Sequence, residues 1–154
     1  MLGNLYIFAE DIVVKDDSMI TGIGINDVEA HRPVADPITN MKFNINFDNV
    51  KVTGENVEIA YTFTTAYEGG SKGDKAVGDL KIKGTVMAKE DKEMIAQINE
   101  SWKSKKTLPI RFAEDLINIL NFECASRGTL LAWSIGVIAP LPLTRAKLEE
   151  GPQK

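Results

Sequence analysis

The central part of the chain alternates between apolar and polar residues. Phe43, Ile45 and Phe47 are each separated by one polar residue, and a similar alternation runs through residues 57–67. Successive side chains of a strand point to opposite faces, so this alternation predicts strands that are buried on one face. We therefore predict strands at residues 43–53 and 57–67, joined by a turn at residues 54–56.

Three further segments fit the same sheet. Residues 5–14 mix apolar and polar side chains, residues 19–30 space isoleucines with small residues, and residues 79–86 alternate apolar with charged or polar side chains. Loops are predicted at residues 32–40, which contain prolines, and at residues 68–75, which are rich in glycine. Strands in succession with short connections predict an antiparallel sheet of about four or more strands, with one face covered.

After Asp91 the apolar pattern becomes that of a helix. Met94, Ile98 and Trp102 recur on one side of a segment whose opposite side is charged. Pro109 follows this segment and suits the first turn of a second helix. Two helices packed on the sheet complete an α+β fold. The apolar face of the second helix holds Ala113, Leu116, Ile117, Leu120 and Cys124.

The end of the second helix has two interpretations. Residues 126–129, Ser-Arg-Gly-Thr, either break the helix and leave residues 128–138 as a strand, or let the helix continue to about Ile138. Pro140 and Pro142 then force an extended exit. We expect a single α+β domain over residues 1–143 and a solvated C-terminal tail over residues 144–154.

The balance of charge argues against nucleic acid as a partner. The chain has a net charge of −4, so its overall field repels phosphate groups. The densest basic patch is Lys103, Lys105 and Lys106, at the end of a predicted helix, where it complements the helix dipole. We therefore expect no nucleic-acid partner.

Neither a leader nor a membrane span is predicted. The first ten residues lack the basic region of a signal peptide. The charge-free run at residues 128–144 is interrupted by Gly136, Pro140 and Pro142, which favours a buried segment over a spanning helix. We expect a cytoplasmic protein.

The sequence offers little for catalysis. Cys124 is the single cysteine and His31 the single histidine, and the two lie far apart in the chain. Cys124 falls on the apolar helix face, where a thiol acts as a small hydrophobic group. No nucleophile elbow, Cys-x-x-Cys pair or zinc-type histidine spacing occurs. We expect no enzymatic activity, no catalytic residue, no cofactor and no metal site.

Large apolar side chains are more numerous in the helical third than one sheet face requires. An apolar groove or an interface between subunits would absorb the surplus. We predict a peptide-binding surface, and its candidate residues are Trp102, Phe112, Leu116, Ile119, Phe122 and Trp133.

The order of these segments resembles the SecB family, the bacterial preprotein-export chaperones. The resemblance is carried by the strand at residues 57–66, the paired strand at residues 77–86, and the helix at residues 110–125 with its Ser-Arg-Gly-Thr ending. The apolar, proline-bearing stretch at residues 139–143 is similar to the family's exit from that helix. The resemblance covers about residues 41–143.

The resemblance implies a SecB-like sheet of four strands packed with helices, dimers that pair into tetramers, and capture of unfolded polypeptide clients in apolar grooves. It implies no cofactor and no nucleotide. Two other functions fit the same pattern of strands and helices. One is a hotdog-like domain that binds acyl groups or lipids, and the other is a structural subunit of an oligomeric assembly without a client of its own.

Overall fold

Four strands form one antiparallel sheet in the computed structural model, and two helices follow them in the chain. The structure describes residues 19–70 and 75–140. This arrangement confirms the predicted α+β class and the order of sheet before helices. The elements are β1 (Met19–His31), β2 (Ile38–Thr53), β3 (Asn56–Gly69), β4 (Lys75–Lys89), α1 (Lys92–Lys105) and α2 (Ile110–Ile135).

Two of the predicted segments lie outside the described residues: the strand at residues 5–14 and the solvated tail at residues 144–154. A third prediction is wrong at its boundary. Residues 38–40 were expected in a loop, but β2 already begins at Ile38, where it pairs with Gly69. A register shift between Ile38 and Asn40 hides the regular alternation there, which is why sequence reasoning missed the start of β2.

The sheet has the strand order β1-β4-β3-β2, so the first two strands of the chain lie at opposite edges. Residues 32–37 connect them across one end of the sheet. The crossing needs glycines beneath it. A Cβ on Gly69 would overlap the Pro37 carbonyl, and one on Gly78 would lie 2.7 Å from the His31 carbonyl oxygen.

One face of the sheet is apolar and lies under the helices. Side chains of β3 alternate between buried and accessible from Val57 to Tyr67, as the sequence predicts. Register pairing aligns Ile45 of β2, Phe63 of β3 and Ile82 of β4 in one row across this face. Side chains aligned in this way across neighbouring strands form a continuous apolar layer beneath the helices.

Helix α1 covers part of this layer. The Asp91 carboxylate caps its first turn by accepting a hydrogen bond from the Met94 backbone N–H at 2.8 Å. Ile98 is buried, and Met94, Ile95 and Trp102 pack against the core. The predicted first helix is confirmed, including its apolar side.

Helix α2 continues through Gly128 to Ile135, so the helical interpretation of this segment is confirmed and the strand interpretation is wrong. Gly128 allows Pro140 to pack closely against the helix, because a Cβ at this position would lie 2.7 Å from Cγ of Pro140. The helix ends at Gly136, whose positive φ of 67° favours glycine.

The chain that leaves α2 is held by two side chains from the sheet. The Arg32 guanidinium donates hydrogen bonds to the carbonyl oxygens of Ile135 and Gly136. The Tyr67 hydroxyl donates to the Ile138 carbonyl oxygen at 2.6 Å. These contacts fix the end of α2 over the sheet.

We expect Gly84→Ala to destabilise the fold. A Cβ on Gly84 would overlap the Gly24 carbonyl oxygen and lie 2.7 Å from the Tyr61 hydroxyl, so β1 and β4 must shift apart. Overpacking of this kind costs about 1–3 kcal/mol. Urea denaturation followed by far-UV circular dichroism would measure the free energy of unfolding.

The control for this substitution is Gly22→Ala on β1, because nothing lies within 4 Å of a Cβ at that position. Its free energy of unfolding should stay within about 0.5 kcal/mol of the parent protein. An equal decrease in the free energy of unfolding in both variants would contradict the close packing around Gly84.

Candidate functional site

Helix α2 carries apolar side chains on two opposite sides. Leu116, Leu120 and Cys124 are buried against the sheet. On the far side, apolar residues recur three, four, four and three positions apart, with Ser126 among them, which places them along one face of the helix. We call this face the outer stripe, and its apolar members are Ile119, Phe122, Leu130 and Trp133.

The outer stripe is exposed. The fractional exposure is 57% for Phe122, 71% for Leu130 and 75% for Trp133. Ile138, in the segment that Tyr67 holds after the helix, is 55% exposed. Single exposed apolar residues are common, but several large ones along one helix face are typical of a binding surface.

The polar groups of the outer stripe are satisfied by the helix itself. The Ser126 hydroxyl donates to the Phe122 carbonyl oxygen at 2.8 Å, and the Thr129 hydroxyl donates to the Ala125 carbonyl oxygen at 2.9 Å. An incoming ligand therefore need not satisfy these hydroxyl donors.

Charges beside the outer stripe are balanced. Arg127 Nη2 lies 3.3 Å from Glu123 Oε2, one helical turn away, in an accessible ion pair. Exposed pairs of this kind contribute little to stability. Because the two charges offset each other, this ion pair adds no net charge beside the outer stripe. The side chains of the outer stripe therefore offer mainly apolar contacts.

Five of the six candidate residues predicted from the sequence separate into two groups. Ile119, Phe122 and Trp133 share the outer stripe, with Ile119 half-buried. Phe112 and Leu116 are buried in the core and do not reach the surface of the chain. Their expected place in a peptide-binding surface is not supported, because they face the sheet and fill the layer beneath the helices.

Trp102, the sixth candidate, is neither on the outer stripe nor fully buried in the core. It is half-buried on α1 and packs against the core. Lys106 Nζ lies 5.5 Å from the centroid of its ring, within the range of a cation–π contact. The structure therefore gives Trp102 a packing role that accounts for its position.

Sequence reasoning missed Leu130 and Ile138 as exposed apolar residues. Leu130 lies four residues after Ser126 and three before Trp133, so extending the helical period past Gly128 would have placed it on the outer stripe. Ile138 follows the helix, and only the contact of its carbonyl group with Tyr67 determines its position. No sequence pattern could have indicated it.

A second apolar surface remains partly uncovered on the sheet. Helix α2 lies over β4 and β1, whereas α1 contacts β2. Phe43 of β2 is 38% exposed, and its ring centroid lies 6.2 Å from that of Phe63. The neighbouring Met41, Ile45 and Phe47 are half-buried.

The buried thiol has no catalytic character. Burial raises the pKa of Cys124 to about 11, and a hydrogen bond with Tyr61 opposes that shift only in part. The Tyr61 hydroxyl itself donates to the Gly24 carbonyl oxygen at 3.1 Å. Cys124 is thus a protonated core residue at neutral pH, since nucleophilic cysteines require the thiolate.

Neither a metal-binding cluster nor a membrane-spanning helix occurs in residues 19–70 and 75–140. No group of three or more His, Cys, Asp or Glu side chains there could hold a metal ion. None of the helices in that part of the chain has the length and apolar character to cross a bilayer. His31 Nδ1 lies 3.3 Å from Asp79 Oδ2 in an exposed pair.

No protein-family model matches the chain, and no curated protein sequence matches it. Among solved structures, it is similar to a SecB-like chaperone of Mycobacterium tuberculosis in complex with a ChAD peptide from an antitoxin. The sequences are 11% identical and the TM-score is 0.49, over 92% of this chain and 96% of the chaperone chain. At this identity the likeness concerns the course of the backbone, and the outer stripe is judged on its own exposure and chemistry.

We expect stability to fall at alkaline pH through the core thiol. Unfolding lowers the pKa of Cys124 from about 11 toward its ordinary value of 9.0. The stability that depends on the protonated thiol is complete below the pKa of the unfolded state. It is lost as pH rises through the pKa of the folded state. The free energy of unfolding, measured by urea titration at several pH values, should therefore decline between those two pKa values.

Cys124→Ala should make this decline shallower without abolishing it. Burial also raises the pKa of Tyr67, to about 12, and that hydroxyl contributes to the same alkaline loss. The comparison concerns the slope with pH, so a uniform loss of stability from the smaller side chain does not affect it. An unchanged slope in the variant would contradict the role of the thiol.

Proposed function

We propose that this protein binds extended or unfolded polypeptides on the outer stripe of α2 and acts as a SecB-like chaperone without covalent catalysis. The observation that carries the proposal is the exposure of Phe122, Leu130 and Trp133 along one helix face whose polar groups are internally satisfied. An unfolded chain exposes the apolar side chains that such a surface can cover.

The energetics suit broad and weak recognition. Covering about 100 Å² of apolar surface on each of the three side chains would contribute on the order of 7 kcal/mol before the costs of association. Ordering a flexible client consumes much of that gain. Useful affinity therefore requires contacts over a long stretch of client, and it depends little on the client's sequence.

The same surface supports a further proposal, that copies of the protein associate into dimers or tetramers. A stable interface between proteins usually buries more than about 1,000 Å², which is larger than the outer stripe alone provides. Self-association would therefore include other surfaces and leave part of the stripe for clients. We also propose a cytoplasmic location, where unfolded chains are present before folding or export.

We expect the protein to suppress aggregation of thermally unfolding citrate synthase at near-stoichiometric ratios, measured by light scattering. Trp133→Asp and Leu130→Asp should each weaken suppression about tenfold, because a carboxylate on the outer stripe resists desolvation. Both residues are exposed, so the variants should retain the fold.

The control is Met87→Asp, which changes an exposed apolar residue on the face of the sheet opposite the helices. It should leave suppression unchanged. A monomer that gives no suppression would contradict the proposal. A single stoichiometric partner captured without any affinity for unfolded chains would instead favour the structural subunit of an assembly, and co-purified lipid would favour the acyl-binding alternative.

Tryptophan fluorescence offers a direct probe of the outer stripe. The chain has 2 tryptophans, so Trp102→Phe leaves Trp133 as the single emitter. Adding reduced, carboxymethylated ribonuclease A, which has no tryptophan, should move the emission to shorter wavelength, because the client shields the indole from water.

The matched variant for this measurement is Trp133→Phe, which leaves the half-buried Trp102 as emitter. Its emission should change much less on addition of the same client. A larger shift from Trp102 than from Trp133 would show that clients bind elsewhere and would contradict the role of the outer stripe.

A further inference from the structure

A long strand forms each edge of the sheet. β1 and β2 occupy the two edges, and no described strand pairs with the outer side of either. An edge strand presents unpaired backbone N–H and C=O groups that can pair with another extended chain. The two edges differ in how well they could do so.

The edge at β1 is interrupted. Its register with β4 shifts between Ile20 and Gly22 and again between Ile25 and Asp27, so its longest regular run is residues 27–31. Shifts of this kind bend and twist a strand, which hinders pairing with a further strand. β1 is therefore a poor template for an added chain.

The edge at β2 is regular over a longer run. Its register with β3 is unbroken from Asn40, opposite Glu68, to Phe47, opposite Tyr61. Residues 40–47 contain no proline, and their single charged side chain is Lys42. Lys42 Nζ lies 2.7 Å from Glu68 Oε1, and its side chain is on the face away from the helices. Apart from Lys42, this run lacks the features that usually prevent pairing at an edge, namely proline, a bulge and an inward-pointing charge.

The side chains of this run have two distinct environments. Met41, Phe43 and Ile45 point to the partly uncovered apolar face, where Phe43 contacts Phe63. Asn44 and Asn46 point to the opposite face and are exposed. A strand added beyond β2 would place every second side chain beside Phe43 and Ile45, and the others in water.

We infer that an extended segment of the client pairs through its backbone with residues 40–47 of β2 and adds a fifth strand to the sheet. This inference rests on the proposed function and names the class of segment that binds. The segment is a β-prone stretch in which apolar and polar side chains alternate. Backbone pairing supplies affinity that does not depend on sequence, and the apolar face selects the alternation.

Backbone N-methylation of a peptide tests the inference. The probe is a fluorescent eight-residue peptide of alternating leucine and threonine with lysines added at both ends. One version is N-methylated at every leucine and another at every threonine. Alternate N–H groups of a strand point to opposite edges, so for a peptide that runs antiparallel to β2 only one methylated version blocks pairing. Fluorescence anisotropy should show about a tenfold loss for one version and little change for the other.

A pair of protein variants tests the same pairing by changing β2 instead of the peptide. Phe43 is 38% exposed and Val28 is 47% exposed, and both point to the helix face from opposite edge strands. Phe43→Lys should weaken binding of the unmodified peptide about tenfold, whereas Val28→Lys should change it less than about twofold. Circular dichroism checks that both variants remain folded.

The outcomes separate this inference from the proposed function. If the unfolded client binds but both methylated peptides bind as well as the unmodified one, side chains alone hold the client and the β2 pairing is wrong. Equal losses for Phe43→Lys and Val28→Lys also overturn it. If neither the client nor the unmodified peptide binds, the proposed function itself fails.

Discussion

The width of the sheet is the constraint on which the rest of the structure depends. Four strands about 4.8 Å apart span about 14 Å, and two helices about 10 Å apart lie over most of that width. Leu116 and Leu120 of α2 already fill the layer against the sheet. The opposite side of α2 faces away from this layer, and Phe122, Leu130 and Trp133 remain largely exposed there.

The position of α2 also explains the uncovered part of the sheet. The helix lies over β4 and β1, so the apolar side chains of β2 are covered less completely. Arg32 and Tyr67 hold the end of the helix and the chain beyond it. Two exposed apolar surfaces, one on the helix and one at the β2 edge, thus follow from a single placement of α2.

The residues of α2 divide into a buried thiol on one side and an exposed apolar surface on the other. Cys124 is buried and its pKa is raised, which keeps the thiol protonated at neutral pH. The outer stripe consists of carbon-rich side chains, and the hydroxyl groups beside it are bonded to the helix.

The sequence by itself determined the period of each element, and therefore the sheet, both helices and their apolar faces, because periodicity is a local property of the chain. It also indicated that the large apolar side chains of the helical third, Phe122 and Trp133 among them, are together more numerous than the core requires. It could not tell Phe122 and Trp133 from Phe112 and Leu116, since all four are large apolar residues in one helix. The tertiary structure decided which of them face the sheet, whether the helix continues through Gly128, and which strand edge stays open, because these depend on where α2 lies relative to distant strands.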